Sequence, residues 1–456
     1  MSGEILSLAM FVVVCAVMLT GFPVAFALGG TALGFALLGS AFDAFDLRVL
    51  NAYPSRIFGT LTNEVLLAIP LFIFMGFMLE RSRIGAQLLD TIGSLFGRRP
   101  GGLGYAVVLV GAMLAATTGI VGATVVTMGL ISLPAMLRAG YDPKLACGAI
   151  CAAGTLGQII PPSIVLVVVG DLLQGVNAQA QLALGNFAPD PISVVDLFAG
   201  AFLPGLLLVG LYLAYQAWVA WRHPERCPGL VEVVRPDALE TAKTLLAPVF
   251  LILAVLGSIV LGIATATESA ALGAVGTVVL AALRGRLTRQ VLREATRSTL
   301  ETTTMIYTII VGASLFSLVF FGLDGGRIVE DVMQELPGGV IGATFVVMAL
   351  LFVLGFFLDF LELVLVTVPI MGPPLLKMGV DPLWLGVMIG MNLQTSFLTP
   401  PLGPPLFYLR AVAPPEVSTA DIYRGVVPFV GLQLVGLGAL WVFPGLATWL
   451  PRLLFG

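Results

Sequence analysis

The segments AGAFLPGLLLVGLYLAYQAWVAW (199–221) and TLLAPVFLILAVLGSIVLGIA (244–264) contain no charged side chain. Each is long enough to cross a hydrocarbon core of about 30 Å, which takes about 20 helical residues. In lipid every backbone N–H and C=O must find its partner within the protein, and a helix does this segment by segment. Composition extends the argument to the whole chain: 58% of the 456 residues are hydrophobic and 11% charged, against roughly a quarter charged in soluble proteins. The expected fold is an all-α polytopic membrane protein. The opening MSGEILSLAMFVVVC has Glu4 where a secretory signal carries basic residues, and its apolar run continues beyond signal length, so it reads as the first membrane segment. The number of passes within 5–39 stays open.

Net charge of -4 says little about partners, whereas the placement of charge says more. Lys and Arg gather in 81–99, 222–243 and 284–297, which the positive-inside rule puts in the cytoplasm. Segment 171–196 has neither residue and DGGRIVEDVMQELPGG (324–339) is acidic, so both are expected outside.

One short passage breaks the apolar pattern. In GTLGQIIPPS (154–163), Pro161 and Pro162 remove two backbone donors, the glycines loosen the chain, and Thr155, Gln158 and Ser163 bring polar groups. A second passage, LQTSFLTPPL (393–402), resembles it. An offset of 239 pairs Pro134 with Pro373, Gly140 with Gly379, Asp142 with Asp381, Pro143 with Pro382 and Pro161-Pro162 with Pro400-Pro401, with no gap. Apolar bias alone matches Leu and Val, not proline, so the chain reads as two homologous halves. Each half runs through an amphipathic arm (83–97; 327–338), a broken apolar segment, a GxDP turn and a helix interrupted at the double proline. Basic residues flank 101–137 at both ends, so it is expected to enter and return as a hairpin with its tip near 117–124. The second hairpin, 340–376, has its tip near 355–362 and opens outward, with Lys377 an exception to the charge rule. The halves are then inverted, and 145–175 and 383–410 each cross once, broken at mid-depth.

An unpaired backbone group in hydrocarbon costs several kcal/mol, so irregular backbone at that depth survives where protein or a water-filled cavity satisfies it. Discontinuous helices at a repeat interface are a construction of secondary transporters, in which half-helix N-termini favour anions and freed carbonyls coordinate Na+. The prolines free carbonyls one turn back, at 157–158 and 396–397, and the hydroxyls of Thr155, Thr395, Ser396 and Thr399 can complete oxygen cages. The competing reading is a pair of kinks satisfied by neighbouring helices; the duplication and the polar company of each proline pair argue against it. Asp359, inside LGFFLDFLEL, is a candidate cation ligand, and its alternative role is a carboxylate bonded to backbone or hydroxyls. Glu362 suits a domain boundary and Glu268 a membrane interface. The first tip has no carboxylate, only Thr117, Thr118 and Thr124 around Gly119 and Gly122, which suits Na+ better than a proton.

Cys15, Cys147, Cys151 and Cys227 show no metal spacing and read as packing residues. His223, the sole histidine, lies in a basic loop and reads as solvated, which removes a histidine proton relay. HExxH, GxSxG and P-loop motifs are missing, so the chain is not expected to be an enzyme. A TVGYG-type filter is missing too, which weakens a channel.

With GTLGQIIPPS, LDFLELVLVTVPIMGPPL and LQTSFLTPPLGPPLF in hand, the chain resembles, over essentially its whole length, the large membrane (M, DctM-like) subunit of TRAP transporters, the tripartite ATP-independent periplasmic family. The resemblance implies an elevator-type transporter of the bacterial inner membrane with two inverted repeats, each with a re-entrant hairpin and a broken helix. It implies scaffold helices and the first arm in 1–98, transport-domain parts in 99–175 and 339–412, scaffold and second arm in 176–338, and a scaffold helix in 413–456. It also implies a small four-helix Q subunit, a periplasmic substrate-binding protein and a carboxylate substrate, with Na+ as coupling ion, no other cofactor and no nucleic acid. Carried over position by position, the Na+ sites are Thr118, Gly119, Gly122, Gly154, Thr155 and Pro161 on one side and Gly355, Asp359, Thr395, Ser396 and Thr399 on the other. Substrate contacts are expected from Gln158, Ser163 and Gln394, and from Arg410 if it reaches inward. The sequence departs from the family at the first tip, where bulky Ile120 and Val121 leave backbone ligation as the expectation. A stand-alone ion-coupled carboxylate transporter is the nearest alternative and a channel the more distant one.

Overall fold

The computed structural model describes residues 3–97, 99–119, 121–229 and 238–455, and among them no strand occurs. Among the described residues eight helices are long and apolar enough to cross a membrane, and four shorter apolar helices accompany them. The helices fall into two series. The first runs Gly3–Leu19, Val24–Ala41, Tyr53–Leu61 with Ala68–Arg81, an arm at Ile84–Phe96, a hairpin of Gly102–Thr118 and Val121–Arg138, a crossing of Pro143–Thr155 and Ile164–Ala183, and Val194–Arg222. The second repeats it: Ala238–Val260, Ala266–Leu283, Arg289–Gly322, an arm at Gly325–Glu335, a hairpin of Gly339–Leu354 and Phe360–Lys377, a crossing of Pro382–Leu398 and Pro404–Val412, and Thr419–Val442. Gly445–Phe455 closes the chain. The region 5–39, left open by the sequence, holds two helices, and both hairpins fall within two residues of their expected bounds.

The repeat extends to backbone detail. Arg83 and Asp324 both adopt the left-handed conformation immediately before the arms, and Gly101 and Gly338 do so before the hairpins. The two GxDP turns work alike. Gly140 (φ +85) and Gly379 (φ +95) supply the positive φ that ends one helix. Asp142 and Asp381 then cap the next by accepting from the Lys144 and Trp384 N–H groups, with Pro143 and Pro382 in the first turn, where a missing N–H costs nothing.

Each hairpin returns to the side it left, and the arms do not cross. Each series therefore contributes an odd number of net crossings, five, and the second starts on the opposite face from the first. With the basic loops inside, hairpin 1 opens to the cytoplasm and hairpin 2 to the outside. Lys377 on the outer face is accounted for by Glu330 of the second arm, whose two carboxylate oxygens lie 3.0 and 2.8 Å from its Nζ.

The broken crossings sit at the centre. Pro143–Thr155 packs on Thr419–Val442, and Pro382–Leu398 packs on both Val194–Arg222 and Thr419–Val442. The first of these contacts is a backbone approach that tolerates no side chain: a Cβ on Gly148 would stand 2.1 Å from the Gly425 carbonyl oxygen, and one on Gly425 2.1 Å from that of Lys144. Gly148→Ala or Gly425→Ala should therefore lower the melting temperature of the detergent-solubilised protein, at a cost of about 1–3 kcal/mol for overpacking. Gly431→Ala on the same helix, with open space around its Cβ, should melt like the unmodified protein or slightly higher.

Candidate functional site: two helix breaks against two hairpin tips

The first crossing is helical to Thr155, tightens into a 3-10 turn over Leu156–Gln158, and resumes at Ile164. The Pro161-Pro162 peptide bond between is cis. Ser163 repairs part of the damage: its hydroxyl donates to the Gln158 carbonyl (2.8 Å) and accepts from the Leu166 N–H (3.5 Å). One of the carbonyls expected to be free is thus satisfied within the break, and Ser163 is the N-cap of the outer half-helix. Thr155, Gln158 and Ser163 are completely buried. Hairpin 1 covers this break. Gly119 takes φ +58 at the tip and stands against Ile164, while a Cβ on Gly154 would come 2.3 Å from Val125 of the hairpin. Gly122 faces the ring of Tyr408 on the second crossing. The side chain of Thr118 and all of Ile120 lie outside the described parts of the structure.

The second crossing is helical to Leu398, breaks over Thr399–Gly403 around a cis Pro400-Pro401 bond, and resumes at Pro404. Hairpin 2 is bonded to it directly. The Ser396 hydroxyl donates to the Phe352 carbonyl (2.6 Å) and the Asn392 amide to that of Met348 (2.8 Å). A Cβ on Gly355 would lie 2.4 Å from Ser396 Oγ. Thr395 and Thr399 donate to the carbonyls of Met391 (2.9 Å) and Thr395 (2.7 Å) one turn back, and the Thr399 N–H returns to the Ser396 carbonyl (3.0 Å). The double proline is less enclosed here: Pro401 and Leu402 are exposed where Pro161 and Pro162 are buried.

Asp359 stands at the second tip as the N-cap of Phe360–Lys377. Its Oδ1 accepts from the Phe360 N–H (2.9 Å), and Glu362 reaches back to the Asp359 N–H (3.2 Å), completing a capping box. Both functions weighed for it are compatible in place, since a capping carboxylate keeps acceptor capacity on its second oxygen. Arg410 does not turn toward the breaks. It is exposed, and its Nη1 donates to the Val417 carbonyl (2.5 Å).

A buried polar cluster joins the two breaks. Thr155 and Gln394 occupy equivalent positions in the repeat, and the Gln394 amide lies 3.4 Å from the Thr155 hydroxyl. Gln433 donates to the Tyr212 hydroxyl (2.8 Å) and lies 3.4 Å from Thr155, and the Gln394 amide approaches Tyr212 at 3.5 Å. All four side chains are fully buried. The carbonyl oxygens of Gln394 and Gln433 and both amide atoms of Gln158 find no partner among the described residues. Sequence reasoning missed Tyr212 and Gln433, although each is a polar side chain inside an apolar run, LYLAYQ and VGLQLVG, and that isolation is the signal.

The arrangement is that of a membrane permease with paired, oxygen-lined helix breaks. The family model for the tripartite ATP-independent periplasmic transporter DctM component matches residues 11–446. The C4-dicarboxylate TRAP transporter large permease protein DctM of Vibrio cholerae is 31% identical over 98% of both chains. The sialic acid TRAP transporter permease protein SiaT of Haemophilus influenzae is 26% identical over 93% of this chain and 66% of its own. The crystal structure of the Alcanivorax borkumensis YdaH transporter shares the fold, with a TM-score of 0.61, 16% identity, and coverage of 88% of this chain and 90% of that one. The chain belongs to the DctM family, the large permease component of TRAP transporters. It is a multi-pass integral protein of the bacterial inner membrane.

Removing the central hydroxyl tests the cluster. Tyr212→Phe leaves the buried Gln433 amide without its 2.8 Å acceptor, and an unsatisfied buried donor costs about 1–3 kcal/mol. The variant should melt several degrees lower, whereas Tyr423→Phe, whose hydroxyl bonds the Pro401 carbonyl at an exposed site, should shift little.

Proposed function

We propose that the chain is the membrane permease of a Na+-coupled importer of carboxylate substrates, fed by a periplasmic binding protein and paired with a small four-helix Q subunit. The observation that carries this reading is the repeated seat of a hairpin tip against a helix break: Gly119 on Ile164 in one half, Gly355 on Ser396 in the other. Each seat brings carbonyls and hydroxyls together at membrane depth, the donor set a hard cation takes.

Cation ligands are drawn from Gly119, Gly154, Thr155 and Pro161 at the first seat and from Gly355, Asp359, Thr395, Ser396 and Thr399 at the second. The half-helices Ile164–Ala183 and Pro404–Val412 both begin at the breaks, so their N-termini supply positive potential for a substrate carboxylate without a buried arginine. Gln158, whose amide atoms are buried and unpartnered among the described residues, offers a polar contact at the first break. Relatives named for C4-dicarboxylate and sialic acid support an anionic substrate.

Transport proceeds by an elevator motion in which the hairpins and broken crossings move as one body. Val194–Arg222 and Thr419–Val442 travel with them, because Tyr212 and Gln433 are bonded into both breaks and Gly148 is locked on Gly425. This body is broader than the one the resemblance implied.

The complete transporter in proteoliposomes should accumulate substrate only with an inward Na+ gradient and with binding protein outside; uptake without either contradicts the assignment. Asp359→Asn should raise the Na+ concentration for half-maximal uptake about tenfold, the scale of one charge-assisted contact of about 1.4 kcal/mol. Pro161→Ala and Pro400→Ala, which restore a backbone donor to each break, should abolish uptake at near-normal expression. Native Na+ dependence in the first variant removes Asp359 from the site, and retained uptake in the other two makes the prolines ordinary kinks.

A further inference from the structure

Each repeat leaves a cavity where its arm meets its hairpin. The inner one, about 340 Å³, is lined by Glu80, Arg83 and Gly85 on one side and by Thr124, Thr127 and Leu130 of hairpin 1 on the other. Its outer counterpart, about 290 Å³, is lined by Phe321, Asp324 and Gly326 and by Ile370 and Pro373 of hairpin 2. The left-handed residues Arg83 and Asp324 fix the register between them, and in that register Phe321 stands where Glu80 stands. What an inverted repeat keeps equal on both faces carries no direction. Glu80 is one of the residues that differ.

Glu80 lies at the inner end of Ala68–Arg81, where its Oε2 is buried with no hydrogen-bond partner. The Thr127 hydroxyl of hairpin 1 lines the same cavity as the carboxylate. A carboxylate oxygen withdrawn from water is costly unless a donor or cation meets it. The charge of Arg81 is felt at Glu80, but its guanidinium is shared with Glu294 of Arg289–Gly322, 3.6 Å away, and makes no hydrogen bond to Glu80 Oε2. Arg83 is exposed on the cavity wall, which offsets the charge of the cavity as a whole and keeps any bound cation weakly held. The hydroxyl oxygens on the opposite wall belong to the helix that starts at the hairpin 1 tip, Thr124 three residues from its first residue and Thr127 one turn further.

We propose that Glu80, with Thr124 and Thr127, forms a Na+ site on the inner face, a relay for the coupling ion between the hairpin 1 seat and the cytoplasm. The inference rests on the Na+-coupled reading above. The two walls belong to different bodies, Ala68–Arg81 and hairpin 1, so the site is complete only while hairpin 1 stands beside that helix. Its ion is released when they part. The outer cavity has Phe321 in that place, and its own carboxylates differ from Glu80: Asp324 is exposed and Glu330 is held by Lys377 at 2.8 Å, so the two faces are unequal.

The test is equilibrium binding of radioactive Na+ to the purified full-length permease with its membrane partner, for the unmodified protein, Glu80→Gln, Thr127→Val and Asp359→Asn, each checked for a monodisperse gel-filtration peak. Glu80→Gln should raise the half-saturating Na+ of the weaker class of sites about tenfold, and Thr127→Val about threefold, as expected for losing a charge and a neutral ligand respectively. Asp359→Asn should leave that class in place. Thr127→Val keeps the test decisive should Glu80→Gln fail the gel-filtration check. Curves for Glu80→Gln and Thr127→Val that superimpose on the unmodified protein, while Asp359→Asn binds more weakly, overturn the inner site and leave the transport reading standing. No saturable Na+ binding to the unmodified protein overturns both.

Discussion

Everything distinctive in this molecule follows from a shortage of backbone hydrogen bonds in the middle of a bilayer. A helix in lipid satisfies itself; two double prolines at equivalent points prevent that, and the groups they free must be met by protein, by water or by an ion. The surroundings are arranged accordingly. Ser163 meets the Gln158 carbonyl, Ser396 bonds hairpin 2, and glycines at both tips bring the hairpins close enough to roof the breaks. From Gly154 to Ser163 around the first break every residue is buried except Ile160, which is partly buried. The first break is enclosed, and the second, though Pro401 and Leu402 are exposed, is bonded to hairpin 2, which separates both from kinks in a single lipid-facing helix.

Duplication solves a second problem. A site built from one helix end presents potential of one sign from one direction, whereas here a half-helix begins at each of the two breaks, at Ile164 and at Pro404. The cluster of Thr155, Tyr212, Gln394 and Gln433 is the physical joint between the copies: it draws one member from each broken crossing and one from each of the helices Val194–Arg222 and Thr419–Val442. The Tyr212–Gln433 bond and the approach of Gln394 to Thr155 tie the four elements together, while the Gln394 and Gln433 carbonyl oxygens stay unpartnered among the described residues. Direction must then come from departures from symmetry. The more open second break, the carboxylate at Asp359 and the carboxylate at Glu80 are the largest of these.

Much of this was legible in the sequence. Apolar runs gave the class, matched prolines gave the repeat, and the GxDP motif gave the helix starts, because each of these signals is local and chemically specific. The hairpins were readable from charge on either side of a broken run, and Lys377, which contradicted the charge rule, is explained by its pairing with Glu330 across 47 positions of sequence. The limits were also physical. Arg410 looked available for a substrate carboxylate, but whether a long side chain turns inward depends on a carbonyl seven residues away. Tyr212 and Gln433 belong to the joint only because distant helices converge, and no local pattern records that convergence. Of the carbonyls expected to be free, that of Gln158 is met by a hydroxyl five residues on and that of Ser396 by the Thr399 N–H, neither of which the local sequence records.

The central claim is that a cation occupies the seats formed by the hairpin tips and the helix breaks. High-resolution cryo-electron microscopy of the permease with its membrane partner, in Na+ and again with choline replacing it, tests this most directly. The account predicts difference density between Gly119 and the first break, and between Gly355 and Ser396 at the second. Identical maps at both seats, with Na+-dependent density confined to other parts of the protein, would contradict it.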